Sequence, residues 1–218
     1  MDSIPNPVAP ESSEALAGDL APLSRALGAP DALASLAALA ELVQLPRPES
    51  VPAVRDFLQR YRERLLIRVE LPAIKAAYEH ASRGEVTELL RLDRQLAGQF
   101  GDANSAFAAA SRHAGRTQLR RLRPLRDRTL QRYLQAVDAG EATGWHVIVF
   151  GLLLALFSLP LRQGLAHYAI RTHHTLVDSA ILGLPVSLAD RARLRDECDA
   201  PATAAVQQSL PTFTPHLV

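Results

Sequence analysis

The chain has 218 residues and a formal net charge of +1, which excludes a global field that would steer it toward nucleic acid or an anionic membrane. Its hydrophobic content of 48% can bury one sizeable core, and the low aromatic content of 5% favours helices over sheets. The single cysteine, Cys198, excludes an internal disulfide framework and is typical of a reducing compartment. Residues 1–22 lack the apolar run of a secretory signal, so we expect a cytoplasmic protein.

Proline and glycine divide the chain into a series of predicted helices. Residues 1–14 contain prolines among polar residues and are predicted to form a disordered tail. Beyond them, apolar residues recur at helical spacing, without the alternation of a strand. The predicted helices are Ala15–Leu27, Asp31–Val43, Ser50–His80 with a kink or division at Pro72, Glu85–Leu96, the segment before Pro124, Leu130–Val137, Val147–Phe157, Ser158–Leu182, Ser187–Cys198 and Ala202–Leu210. Residues 15–218 are therefore predicted to form one all-α domain, a bundle of roughly eight to ten helices.

One stretch of the chain is strongly apolar. Val147–Leu161 contains 15 residues and is interrupted by Pro160. Because a membrane-spanning helix needs about 20 apolar residues, this stretch is too short to cross a bilayer. An all-round apolar helix is typical of the centre of a bundle, so we expect a buried core helix and no membrane association.

The segment before Pro124 places small residues and arginines on neighbouring sides of one helix. One stripe contains Ala108, Ser111, Gly115, Leu119 and Leu122, and the stripe beside it contains Arg112, Arg116, Arg120 and Arg123. Glycine inside a helix costs up to about 1 kcal/mol relative to alanine, so close approach of another helix or of a partner's backbone should compensate at Gly115. We therefore predict a partner-binding surface that comprises Ser111, Arg112, Gly115, Arg116, Arg120 and Arg123.

The same region is unusually basic. Residues 112–132 contain eight arginines and one acid, Asp127, which gives a net charge of +7. Three interpretations remain open: a face that lies along duplex phosphates, a solvated face paired with acids elsewhere in the domain, or a docking face for an acidic protein. The lack of interleaved aromatic residues argues against single-stranded nucleic acid.

No pattern in the sequence indicates catalysis or a metal centre. His173 and His174 point to different sides of a helix, and Arg171 lies between His167 and His174, so no metal site is expected. Cys198 lies among acids that raise a thiol pKa, which makes it a poor nucleophile. His146 has no carboxylate or nucleophile near it in sequence, so it is predicted to be a cap or an interface residue. We expect neither enzymatic activity nor a cofactor.

Several short motifs, taken in order, carry a resemblance to a known family. They are Phe57-Leu58, Glu70-Leu71-Pro72, Ala76-Ala77-Tyr78, Ser111 with Gly115, Arg116 and Leu119, His146 with Phe150-Gly151, Leu159-Pro160-Leu161 with Tyr168, and Phe213-Thr214-Pro215. With these motifs the chain resembles the urease accessory protein F (UreF) family. The likeness is clearest over Val54–Tyr168.

The chain also departs from the family pattern. In Pro30–Glu41 only the two terminal residues agree with the family's N-terminal signature, and Ala114 and Gln118 replace residues of the central motif. Residues 182–187 differ from the corresponding family segment. Because the chain stops at Val218, the tail by which the family grips a partner is expected to be missing. The chain is therefore interpreted as a diverged member.

The resemblance implies an all-helical, homodimeric, non-enzymatic protein. Family members bridge a nickel-carrying GTPase (accessory protein G) and accessory protein D/H, and so support nickel insertion into the urease apoprotein. By this resemblance, His146, Gly151 and Tyr168 are expected at interface or packing positions. The alternative from another class is a helical nucleic-acid-binding protein that uses the basic face of residues 112–132.

Overall fold

The computed structural model describes residues 39–40, 43–100, 105–181 and 184–210. These residues are 79% helical and contain no strand, which confirms the predicted all-α class. The elements are α1 (Val51–Tyr61), a π-helical segment (Arg62–Glu70), α2 (Leu71–Ser82), α3 (Val86–Ala97), α4 (Ala106–Leu122), α5 (Arg128–Asp138), α6 (His146–Leu156), α7 (Leu161–Ile181) and α8 (Leu188–Ser209). The predicted tail of residues 1–14, the predicted helix Ala15–Leu27 and the Phe213–Pro215 motif lie outside the described residues.

Two prolines do not divide the chain as the sequence predicts. Because α1, the π-helical segment and α2 follow one another without a break, the described residues contain seven continuous helices, slightly fewer than the predicted eight to ten. Pro72 is the second residue of α2 and directly follows the π-helical segment, so it lies inside this continuous helix. Pro201 lies inside α8, where Cys198 and Ala202 on either side of it are both buried. Packing on both sides of Pro201 offsets the hydrogen bond that it removes from the helix.

The central helix of the bundle is α6. Its residues from His146 to Leu154 are all buried, and it packs against α2 and α4, while α7 packs against α8. This confirms the predicted core helix, except that Phe157, the last residue of the predicted segment, is 44% exposed. Among the described residues, no helix has both the length and the apolar character that a membrane span requires.

Gly151 marks the point where α6 crosses α2. A Cβ built on Gly151 would lie 2.4 Å from the carbonyl oxygen of Ile74 and 2.8 Å from the Cβ of Ala77. Real Cβ atoms do not approach a backbone oxygen so closely, so the two helices can cross at this distance only with glycine here. The predicted packing role of Gly151 thus corresponds to a close crossing inside the core.

Gly151→Leu should destabilise the protein by about 3 kcal/mol, because the side chain has to push α2 away from α6. Gly98→Leu is the matched control, since a Cβ at Gly98 meets nothing within 4 Å. Urea unfolding of both variants measures the difference. A Gly151→Leu variant as stable as the control would show that the helices do not cross closely at this point.

Candidate functional site

Five polar side chains from separate parts of the fold meet in the core. Tyr61 ends α1, Glu70 ends the π-helical segment, Ser111 lies in α4, His146 begins α6 and Tyr168 lies in α7. The Ser111 hydroxyl is 2.8 Å from His146 Nδ1, and the Tyr168 hydroxyl is 2.7 Å from His146 Nε2. The Tyr61 hydroxyl donates to the Glu70 carboxyl group, and the Tyr168 hydroxyl lies near the same carboxyl group. The result is one connected polar network that joins four helices and the π-helical segment.

Burial sets the protonation of this network. Burial raises the pKa of Glu70 to about 7, although the hydrogen bonds from Tyr61 and Tyr168 oppose the rise. Burial also lowers the pKa of His146 to about 3. The pKa values of both tyrosines are raised by burial and then by the nearby Glu70. Around neutral pH the imidazole is therefore uncharged, and Glu70 is the one member that titrates there.

The direction of the hydrogen bonds follows from the Glu70 carboxylate. An ionised carboxylate only accepts, so the Tyr61 hydroxyl donates to it. A neutral imidazole carries one N–H, so one His146 ring nitrogen donates and the other accepts in its bonds to the Ser111 and Tyr168 hydroxyl groups. Each of these hydroxyl groups and ring nitrogens thus has a hydrogen-bond partner in the core. A fully connected network of this kind rigidifies a core and specifies its packing.

A serine, a histidine and a carboxyl group in one network could suggest nucleophilic catalysis. Ser111 and Glu70, however, are only 0% and 2% exposed. His146 Nε2 is 3.9 Å from the Glu70 carboxylate and bonds to the Tyr168 hydroxyl instead. A nucleophile has to reach its substrate, and the Ser111 oxygen lies inside the protein. The arrangement thus links helices, as the prediction of a structural role for His146 implies.

Sequence reasoning missed Glu70 and Tyr61 as members of the network. The helical spacing predicts Val69, together with Leu65, on the apolar side. In the structure Leu65 is buried as predicted, but Leu66 and Glu70 are buried as well, and Val69 is half-buried. A π-helix has more residues per turn than an α-helix, so it rotates the buried side by about one residue. The signal that could have found Glu70 is its place next to Pro72, where a helix often departs from regular α geometry.

A second buried carboxylate fixes the turn that precedes α6. Asp93 in α3 is 0% exposed. Its carboxylate accepts from the Tyr133 hydroxyl at 2.6 Å and from the backbone N–H groups of Thr143 and Gly144 at 2.6 and 3.0 Å. Its backbone carbonyl accepts from Trp145 Nε1 at 2.9 Å. Three donors to one carboxylate compensate for its loss of hydration, so the turn has a defined position.

Gly115 packs directly against this turn. A Cβ on Gly115 would lie 2.0 Å from the Gly144 carbonyl oxygen and 3.0 Å from the His146 backbone nitrogen. The close approach predicted at Gly115 is thus made by the chain's own backbone. Ser111, one turn earlier on the same side of α4, is completely buried and bonds to His146. In this structure both small residues of the predicted partner-binding surface lie in the core.

The four arginines of the predicted surface lie beside that packed stripe. Arg112 is half-buried, and Arg116, Arg120 and Arg123 are exposed. Arg116 donates to the Thr143 carbonyl at 3.0 Å, Arg120 to the Thr117 hydroxyl at 3.1 Å, and Arg123 to the Asp138 carboxylate at 2.6 and 2.7 Å. We call the exposed side of α4 that carries these four residues the arginine face.

The arginine face borders a groove between α4 and α5. The groove has a volume of about 340 Å³, and Leu119, Leu134 and Val137 contribute apolar atoms to it. Of the eight arginines in residues 112–132, Arg123 alone forms an ion pair with any of the described residues. The interpretation of a basic face neutralised by acids elsewhere in the domain is therefore not supported in the part of the chain that the structure describes.

The histidines and the cysteine for which no metal binding or catalysis is predicted have identifiable surroundings in the structure. His174 Nε2 is 2.7 Å from an Asp199 carboxylate oxygen. Burial lowers the pKa of His167 to about 4, with a smaller contribution from Arg171. Burial, and then Asp199 and Glu197, raise the pKa of the Cys198 thiol to about 11, which confirms the expected direction. Across the described ranges, no three His, Cys, Asp or Glu side chains come close enough together to hold a metal ion.

The raised pKa of Glu70 predicts a specific pH dependence of stability. With a folded pKa of about 7 and an unfolded value of 4.5, the folded state binds the proton more tightly. Folding stability due to this group is therefore fully present below pH 4.5 and falls until about pH 7. Glu70→Gln mimics the protonated carboxyl and removes this dependence.

Unfolding by urea between pH 4.5 and 8 tests the Glu70 prediction. The stability of the wild type minus that of Glu70→Gln should fall by an amount on the order of 3 kcal/mol as the pH rises from 4.5 to 7. Because His146 is present in both proteins, its own opposite pH dependence largely cancels. A difference that stays constant with pH, or that grows, would contradict the assignment.

Comparison with known proteins places this architecture in a family. The model of the UreF family matches residues 49–194, a span that covers more than half of the chain and includes the buried network, the Gly115 contact and the arginine face. No curated protein matches the chain. The match covers the motifs on which the sequence resemblance rests, apart from Phe213–Pro215. The chain belongs to the UreF family of urease accessory proteins.

Proposed function

We propose that this chain is a non-catalytic scaffold in urease maturation, which bridges a nickel-carrying GTPase (accessory protein G) and accessory protein D/H, with the urease apoprotein as client. The observation that carries the proposal is the family match over residues 49–194. The scaffold would act in the cytoplasm and support nickel insertion through binding. The buried state of Ser111, His146 and Glu70 is consistent with this, since these reactive groups serve the core.

The arginine face is the proposed contact with the GTPase. An arginine guanidinium group can form two parallel hydrogen bonds with one carboxylate, so a row of arginines fits an acidic protein segment. The apolar atoms of Leu119, Leu134 and Val137 in the adjacent groove would bury apolar side chains of the same segment. Because the phosphate groups of a nucleic acid would not pack against these apolar atoms, a protein is favoured as the partner.

A homodimer is part of the proposal. Phe157 is 44% exposed and Leu188 is 82% exposed, and both lie in the C-terminal half, where the family resemblance places the dimer contact. Burial of such side chains at a second copy would be favourable. Light scattering on the purified wild-type protein checks this state, and a monomer at high micromolar concentration would count against it.

Reversal of the arginine face should abolish binding to the GTPase. The test variant changes Arg112, Arg116, Arg120 and Arg123 together to glutamate. The complex should be lost because attraction to acidic groups becomes repulsion, while the fold should survive because these side chains lie outside the packed stripe. The measurement is a pull-down with the purified GTPase, with circular dichroism as the folding control.

Two further variants sharpen this experiment. The charge-matched control reverses Arg47, Arg60, Arg68 and Arg94, which are exposed and form no ion pair with the described residues. It should bind the GTPase like the wild type. Arg120→Glu alone loses only the bond to Thr117 and should weaken binding without disturbing Asp138 or Thr143. Undiminished binding by the folded quadruple variant, or equal loss in the control, would overturn the assignment of this face.

A further inference from the structure

A small cleft lies away from the arginine face, between α1, the π-helical segment, α7 and α8. It has a volume of about 180 Å³, and its polar lining includes Arg55, Arg62, His173 and Glu197. At about 30 Å³ for each water molecule in the liquid, this volume has room for one small ion with some water. The proposed scaffold function makes no use of this cleft.

His173, which lines the cleft, has an unused hydrogen-bond acceptor. Its side chain is completely buried, and Nδ1 is 2.7 Å from the backbone carbonyl of Ala169. A carbonyl can only accept, so Nδ1 carries the hydrogen. Burial lowers the pKa of His173 to about 4, so the ring is neutral at pH 7 and Nε2 has a free lone pair. Nε2 is buried and has no hydrogen-bond partner among the described residues.

Arg62 supplies an unused positive charge in the same cleft. Arg55, by contrast, forms two hydrogen bonds with the Glu197 carboxylate, at 2.8 and 3.1 Å, across the space between α1 and α8. Arg62 forms no hydrogen bond or ion pair with any described residue. With Arg55 and Glu197 neutralising each other, the lining has a net charge of +1. Among the described residues that line the cleft, Arg62 is therefore a cation without a partner and His173 Nε2 an acceptor without one.

We propose that this cleft binds a small oxyanion that still carries a hydroxyl proton, such as dihydrogen phosphate or hydrogen carbonate. The anionic oxygens accept from the Arg62 guanidinium group, and the hydroxyl group of the ion donates to His173 Nε2. A fully deprotonated anion would place its lone pairs against the lone pair of Nε2. A metal cation would meet the charge of Arg62, and the described residues provide no cluster of three ligands for it.

The matched pair of phosphate and sulfate tests this proposal. Both are small tetrahedral ions, but at pH 6.5 phosphate mostly carries hydroxyl protons and sulfate carries none. At equal ionic strength, phosphate should bind saturably in calorimetry and shift the ¹⁵N resonance of His173 Nε2. Sulfate should bind about tenfold more weakly, because it leaves the buried acceptor unpaired. A separate titration with hydrogen carbonate shows whether hydrogen carbonate or phosphate binds better.

Variants of the lining residues distinguish this site from general attraction to a basic protein. Arg62→Gln should weaken phosphate binding by about tenfold or more, since it removes a charged donor. Arg68→Gln, on the exposed side of the same π-helical segment, is the control and should bind like the wild type. His173→Phe keeps an aromatic ring against Tyr61 but lacks the acceptor, so phosphate and sulfate should then bind equally weakly.

Any one of three results overturns the proposal. The first is that neither phosphate nor hydrogen carbonate binds saturably, and the second is that phosphate and sulfate bind equally to the wild type. The third is that Arg62→Gln binds phosphate as the wild type does. If His173→Phe does not fold, the comparison of Arg62→Gln with Arg68→Gln decides. These measurements need no urease partner, so their outcome is independent of the proposed scaffold function.

Discussion

The buried carboxylate of Asp93 is the constraint on which the surface of this protein depends. It holds the Thr143 and Gly144 backbone in one position, and its own carbonyl holds the Trp145 side chain. Because Gly144 then lies in direct contact with Gly115, α4 can pack in only one rotational setting. That setting turns the small residues inward and the arginines outward. The buried Asp93 carboxylate thus helps to determine which side of α4 faces the solvent.

The buried and the exposed polar groups of this fold have different roles. The network of Ser111, His146, Tyr168, Glu70 and Tyr61 is buried and internally satisfied, so it connects helices. The arginine face has little acidic compensation within the described residues, which supports the partner contact proposed for it. This separation is what a binding scaffold needs: a rigid interior and a surface with unsatisfied charge. It is consistent with the accessory role of the UreF family, whose model covers both features.

Local patterns in the sequence predicted part of this structure. The apolar period predicted the helices, the all-round apolar stretch predicted the central position of α6, and a costly glycine predicted the close approach at Gly115. The sequence did not predict Asp93 or Glu70 in the core, because charged residues are normally placed on the solvent side of a helix. Their burial depends on donors that are distant in sequence, and for Glu70 also on the π-helical segment. The continuity of α8 through Pro201 likewise depends on packing against other helices.

The most direct test of this account is the replacement of Asp93 by alanine, followed through Trp145, the single tryptophan of the chain. Loss of the carboxylate leaves the Tyr133 hydroxyl and two backbone N–H groups without their acceptor. Asp93→Ala should lose about 3 kcal/mol or more in the free energy of unfolding, and its native fluorescence should shift to the red as the turn loosens. Asp56→Ala, at an exposed position of α1, is the control and should change neither quantity. Wild-type stability and emission in Asp93→Ala would contradict the central role of this carboxylate.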